Sequence, residues 1–220
     1  MDHIRKLLAY LMCDCKDRHY CEFSKCASLT FGLQEILRVR LSLSVELFAD
    51  AVHRNNRFTR WASGREDDSV FGSLGNAFNA CWKGMMALAY PPQVGPDLDM
   101  VAAKLRTDLN SSLPTRIVLV LEEGKPLDEL GNWDKVSVLC TFPAGSFPTI
   151  SPSAFRRPYT EHKILRHTAA TSILIVQNRE AAIRYPIDVK ALETALGRWS
   201  RKHNVICEIV PPKIFVPGDG

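Results

Sequence analysis

A chain of 220 residues and 24.7 kDa is long enough to bury a core without a disulfide or metal staple. Its 46% hydrophobic and 24% charged content excludes a disordered or fibrous chain. The formal net charge of +4, from 28 basic and 24 acidic residues, is mild for a dedicated DNA binder but permits a nucleic-acid partner. The longest apolar runs, such as residues 117–121 and 173–176, fall far short of the ~20 residues a spanning helix needs, so no membrane partner is expected. Residues 7–12 are too short for a secretory apolar core. Seven cysteines, an odd number, fit thiols in a reducing compartment better than a paired framework.

In chain order, Ile4, Leu7, Leu8 and Leu11 have helical spacing, and Cys13, Cys15, Cys21 and Cys26 follow with His19. Residues 30–40 predict a second helix. Residues 1–40 thus read as a helical, Cys-rich N-terminal arm. Residues 43–48 have the alternation of a strand. Residues 50–95, rich in Gly, Asn, Arg and aromatic residues, read mostly as long loops around short helices. Asp97 is placed to cap a helix carrying Leu98, Val101, Ala102, Leu105 and Leu109 on one face. Residues 117–121 predict a buried parallel strand, and residues 136–140 and 172–177 two more. Asp188 begins a helix that presents Val189, Leu192, Leu196 and Trp199 inward, and residues 205–210 predict a last strand. Residues 41–210 then form an α/β domain with a mostly parallel central sheet, followed by a Pro-rich tail at 211–220. In that fold ligands sit at strand carboxyl ends, so the loops after Phe48, Tyr90 and Leu121 are where function is expected.

Several segments bear on chemistry. The cysteine stretch contains no Cys-x2-Cys knuckle and no second pair at finger spacing, so it reads as packed thiols and no metal site is expected. The loop Phe71-Gly72-Ser73-Leu74-Gly75 offers main-chain amides that suit a charged ligand group, or simply makes a turn. Tyr90-Pro91-Pro92-Gln93 has a rigid backbone that fixes the flanking side chains; taken alone it reads as a strand-to-helix connection. Two stretches interleave cations with rings: Arg54, Arg57, Phe58, Arg60 and Trp61, and later Arg156, Arg157, Tyr159, His162, Lys163, Arg166 and His167. Such patterns suit single-stranded nucleic acid, with cations on phosphates and rings on bases; a solvated Arg-rich loop is the plainer reading of either alone.

Taken together, these segments resemble the catalytic region of the phosphorylated CTD-interacting factor family, the cap-specific adenosine N6-methyltransferases. There, a strand ending in Phe-Ala-Ser-Pro-Leu-Asn precedes Phe-Gly-Ser-x-Gly, then Asn-Pro-Pro-Phe, an apolar strand, a basic loop, and an apolar strand ending in Gln-Asn. The counterparts here are Phe48-Ala49-Asp50-Ala51, Phe71 to Gly75, Tyr90 to Gln93, residues 117–122, Phe155-Arg156-Arg157-Pro158-Tyr159 and Ile173 to Asn178, in that order over residues 27–200. The resemblance implies a Rossmann-like S-adenosylmethionine-dependent methyltransferase fold and methylation at N6 of the first transcribed adenosine of capped mRNA. By position, Phe48, Ala49 and Asp50 would lie beside the methyl donor, with Gly72 and Gly75 shaping the neighbouring loop. Tyr90, Pro91, Pro92 and Gln93 would form the catalytic turn. Arg156, Arg157, His162 and Lys163 would contact RNA. Nuclear residence, partners among RNA polymerase II and RNA-processing factors, and a chain lacking the family's WW module are further implications.

Three positions depart from the family pattern. Tyr90 replaces the Asn whose side-chain oxygen, with a backbone carbonyl, accepts hydrogen bonds from the target amine. Gln93 replaces the Phe that stacks on the base. Asp50-Ala51 replaces Ser-Pro at the donor motif. Misplacing reacting atoms by ~1 Å can cost on the order of a hundredfold in rate. Three readings follow: a methyltransferase with altered chemistry or substrate, a methyltransferase-like RNA-binding or assembly subunit without catalysis, or, below these, an α/β domain unrelated to nucleic acid.

Overall fold

The computed structural model describes residues 28–49, 54–64, 66–93, 95–124, 130, 133–150 and 164–210. The expected helix at residues 1–12, the four N-terminal cysteines, Asp50, Arg156, Arg157, His162, Lys163 and the tail lie outside them. The described elements begin with β1 (Ser28–Leu29), α1 (Phe31–Arg40), β2 (Val45–Leu47), β3 (Arg60–Ala62), a 3-10 helix (Glu66–Phe71), β4 (Met86–Ala89) and α2 (Gly95–Asp108). Then come β5 (Arg116–Glu122), β6 (Val136–Phe142), β7 (Pro148–Ile150), β8 (Ile164–Arg166), β9 (Thr171–Gln177), α3 (Arg179–Arg184), α4 (Val189–His203) and β10 (Glu208–Ile209).

Seven strands form one sheet in the order β10-β6-β9-β5-β4-β2-β3, and β1-β7-β8 form a second, smaller sheet. The architecture is α/β, compatible with a Rossmann-like arrangement, but the main sheet is mixed rather than mostly parallel. The pairs β3–β2, β2–β4 and β4–β5 are parallel, whereas β5–β9, β9–β6 and β6–β10 are antiparallel. The expectation of a parallel sheet rested on continuous apolar runs. Such runs report burial on both faces, not direction: all of β9 is buried, yet it runs against both neighbours.

Alternate residues of the strands feed two cores, because successive side chains point to opposite faces. On one face Met86, Leu88, Val118, Val120, Ile173 and Ile175 pack with Leu33 and Leu37 of α1 and Leu192, Leu196 and Trp199 of α4. On the other, Ala87, Ala89, Ile117, Leu119, Leu174 and Val176 pack with Leu98, Val101, Ala102 and Leu105 of α2. The helix from Asp188 forms as expected: its carboxylate accepts the Ala191 N–H at 2.9 Å. The helix ends where Asn204 turns left-handed at φ 49°, with Arg201, Lys202 and His203 in the last turn, favourable beside the helix's negative end. α2 begins at Gly95, so Asp97 sits in its first turn and does not precede it.

The predicted loops of residues 50–95 contain two strands of the main sheet, β3 and β4. β4 is Met-Ala-Leu-Ala, a composition without β-branching; it is a strand because parallel neighbours on both sides take its main-chain groups. The last strand is shorter than expected, two residues rather than six.

The amino-terminal end of β5 holds a buried cation. Arg116 is 1% exposed and donates to Gln177 Oε1 at 2.8 Å, Leu41 O at 3.0 Å and Tyr185 O at 2.5 Å. It thereby ties the ends of α1 and α3 to the sheet. Burial lowers its pKa to about 10. Asn178 completes this end, accepting from Thr115 N–H and Ala181 N–H at 3.0 Å each. The Gln-Asn pair that ends the apolar strand is therefore a structural joint, at the end of the sheet opposite the β2 and β4 carboxyl ends.

Candidate functional site

β2 is followed in sequence by β3 on one side and flanked by β4 on the other. The strand order reverses there, and in open α/β sheets ligands bind beside the carboxyl ends of strands at such a point. Leu47 is the register partner of both Ala62 and Ala89. The segments leaving β2 at Phe48 and β4 at Tyr90 therefore emerge side by side. The structure brings together the turn with the paired prolines and the described part of the Phe48 segment.

Phe48 turns the chain at the end of β2 in the left-handed region, φ 63°. That conformation is uncommon for a bulky residue and needs support from its surroundings. Its ring stands edge-on to Phe78 at 5.0 Å and to Trp82 at 6.2 Å. Ala49 N–H donates to Ala62 O at 3.1 Å, and Leu74 N–H to Trp61 O at 2.8 Å. Gly72 and Gly75 take φ of 87° and 88°, letting this loop turn back along β3. Asp68, 1% exposed, accepts from Ser63 Oγ at 2.5 Å.

Past β4, both polar side chains of the turn are engaged. The Tyr90 hydroxyl lies 2.8 Å from His167 Nε2, and His167 Nδ1 lies 2.5 Å from Glu122 Oε1. A carboxylate only accepts, so Nδ1–H donates to Glu122; in the neutral imidazole Nε2 then accepts the phenol proton. Phe147 stands edge-on to the imidazole, and main-chain bonds from His167 N to Phe147 O (3.0 Å) and from Gly145 N to His167 O (2.7 Å) fix its place. Gln93 Nε2 donates to Pro91 O at 2.7 Å and Val120 O at 3.3 Å, while its Oε1 accepts the Glu122 N–H at 2.8 Å. Glu122 thus holds His167 with its side chain and Gln93 with its main chain.

A nucleoside-bearing methyl donor at the ends of β2 and β4 needs open main-chain donors and a carboxylate for ribose hydroxyls. Among the described residues, the Ala49 and Leu74 amides, the Asp68 carboxylate and the Glu122 carboxylate each have a partner within the chain. Among the described residues no cluster of three or more His, Cys, Asp or Glu suits a metal ion, and no helix is long and apolar enough to cross a membrane.

The first basic and aromatic stretch does not present rings for stacking. Phe58 and Trp61 are 3% and 4% exposed, drawn into the core rather than offered to bases. Arg57 pairs with Glu35 at 2.9 Å, and the Arg54 guanidinium lies over the Trp61 ring at 5.5 Å. Of the second stretch, Arg166 donates to Ser146 O at 2.8 Å and His167 joins Tyr90.

Sequence reading placed Glu122 only at the end of a strand and His167 only at the end of a stretch of cations and rings. A histidine between two short apolar segments carries no local signal for a partner 77 residues earlier. No protein-family model and no curated protein sequence matches this chain.

Proposed function

We propose that this chain is a methyltransferase-like α/β domain that binds RNA and does not transfer a methyl group to adenosine N6. The activity of the family it resembles, S-adenosylmethionine-dependent N6 methylation of the first adenosine of capped mRNA, needs two acceptors that hold the target amine. The observation that carries the reading is that both polar side chains of the turn are held within the chain: the Tyr90 hydroxyl by His167, and the Gln93 amide by Pro91 O, Val120 O and Glu122 N–H. Gln93 also offers no aromatic ring to stack on the base. RNA is favoured as partner by the basic segment at residues 156–163, which joins the described chain at Ile164, three residues before His167 at the crevice. Nuclear residence and partners among RNA polymerase II and RNA-processing factors rest on the resemblance alone.

The test incubates the protein with isotopically labelled S-adenosylmethionine and capped RNA beginning with adenosine, and measures N6-methyladenosine by mass spectrometry. The expected result is no methylation, with RNA affinity that falls as salt rises. Formation of N6-methyladenosine overturns the reading, and so does the absence of RNA binding at low salt.

A further inference from the structure

Among the described residues, three buried side-chain atoms lack a hydrogen-bond partner: Thr30 Oγ1, Thr149 Oγ1 and Trp199 Nε1. Buried polar groups are nearly always paired, so each of these atoms points to a missing partner. All three belong to the surroundings of one helix start. Thr30 is the N-cap of α1, and its side chain makes no capping bond. Thr149 of β7 is the register partner of Leu29, the residue before Thr30. Trp199 of α4 brings Nε1 to 3.5 Å from the point where Gly32, in the first turn of α1, would carry a Cβ. Trp199 is 4% exposed, whereas Gly32 is exposed. The indole N–H is thus aimed at the start of the helix, beneath a residue that puts no side chain over it.

The ten residues of α1 make their first intrahelical bond from Gln34 N–H to Thr30 O. The Gly32 and Leu33 amides lie ahead of that bond, among the donors a helix start leaves over. The first turn carries no acidic residue to complement the positive end of the helix. Amides, an indole N–H and hydroxyls are groups that donate. A water molecule brings two protons of its own and finds only hydroxyl oxygens to take them. A phosphate group offers several acceptor oxygens and a negative charge, which suits the helix end. We propose that the start of α1 is a binding site for a phosphate-type oxyanion, free or as a phosphate monoester, held by the Gly32 and Leu33 amides, the Thr30 hydroxyl and the Trp199 indole. None of the crevice residues Phe48, Tyr90 and Gln93 takes part, and neither RNA binding nor a methyl donor is required.

The probe is inorganic phosphate, added at constant pH and ionic strength. The readout is the Trp199 indole N–H resonance in a nitrogen-edited NMR spectrum, assigned by its absence from Trp199→Phe. A saturable downfield shift in the millimolar range is expected, with none from chloride. Adenosine 5′-monophosphate and adenosine separate the two sources. Tighter binding of the monophosphate than of phosphate assigns a monoester, equal binding assigns the free ion, and adenosine should leave the resonance in place. Gly32→Ala sets a methyl group 3.4 Å from the indole ring while suiting a helix better than glycine does. It should therefore fold at least as stably as the wild type and bind phosphate about tenfold more weakly or worse, because a hydrogen bond to a charged group is lost. An indole resonance unmoved by saturating phosphate overturns the proposal and leaves the three atoms to water. A folded Gly32→Ala protein that binds phosphate as the wild type does overturns it equally. Should the variants fail to fold, the wild-type titration decides by itself.

Discussion

The Tyr90 hydroxyl and the His167 imidazole, 77 residues apart in sequence, meet at 2.8 Å and join the carboxyl end of β4 to the segment leading into β9. Glu122 extends the contact to the end of β5. Tyr90→Phe removes only the hydroxyl. Loss of about 1 kcal/mol of stability is expected, and His167→Ala should cost about 2 kcal/mol because it removes the hydrogen bonds to Tyr90 and Glu122 together. A double-mutant cycle by urea denaturation should give coupling of roughly 0.5–1 kcal/mol. Additive effects would show that the two groups are neighbours without interacting.

Arg116 is a buried cation whose described partners are oxygen atoms of main chain and amide rather than a carboxylate. Arg116→Met keeps the bulk but leaves Gln177, Leu41 and Tyr185 without a donor. At roughly 1–3 kcal/mol for each unsatisfied buried group, a loss of about 3 kcal/mol or more is expected. Arg116→Lys should fall between, since an ammonium cannot reproduce the planar fork. Equal stability of Met and wild-type proteins in chemical denaturation would show that the cation contributes nothing to joining α1 and α3.

Glu35 gives a pH dependence with a definite sign. Its pKa is lowered from 4.5 to about 2, chiefly by the Arg38 side-chain hydrogen bond and then by Arg57. A depressed carboxylate adds stability that is present above pH 4.5 and lost as pH falls toward 2. The side chain is 30% exposed, so the contribution is that of a surface pair, below about 1 kcal/mol. Thermal midpoints of wild-type and Glu35→Gln proteins should converge across that acid window. A gap that stays constant with pH would rule out the linkage.

Phe48 combines a ring packed on Phe78 and Trp82 with a left-handed backbone at φ 63°. Phe48→Ala and Phe48→Gly both remove the ring, at about 3 kcal/mol. Only glycine also relieves the backbone strain, so Phe48→Gly should exceed Phe48→Ala in stability by about 1 kcal/mol, measured by denaturant midpoint. The reverse order would show that the turn is unstrained.

Arg156 and Arg157 are the RNA contacts that the resemblance implies. Replacing both by Ala should weaken binding and reduce the slope of log affinity against log salt by roughly 1.4, because each phosphate of a single strand that is neutralised by a cation accounts for about 0.7 of it. An unchanged slope would return both arginines to an ordinary solvated loop.

Much of the fold was legible in local pattern. The helix faces of α1, α2 and α4 follow from leucines three and four residues apart, and β5 and β9 from runs of Val, Ile and Leu. β4 was not legible, because Met, Ala and Leu favour helix in isolation and only its place between β2 and β5 makes it extended. β1, β7 and β8, two or three residues each, are too short to show a period. The candidate site was half legible. The prolines, Tyr90 and Gln93 stand out in sequence, but what Tyr90 and Gln93 bind does not.

The amino-acid sequence by itself determined an α/β chain, the buried strands and the inward faces of the helices, because apolar periodicity is a local property that burial reads directly. Only the tertiary structure decided that β9 runs against its neighbours, that Tyr90 meets His167, and that Gln93 docks on the end of β5. A strand buried on both faces is equally apolar in either direction, and hydrogen bonds between segments far apart in the chain leave no mark on the spacing within each.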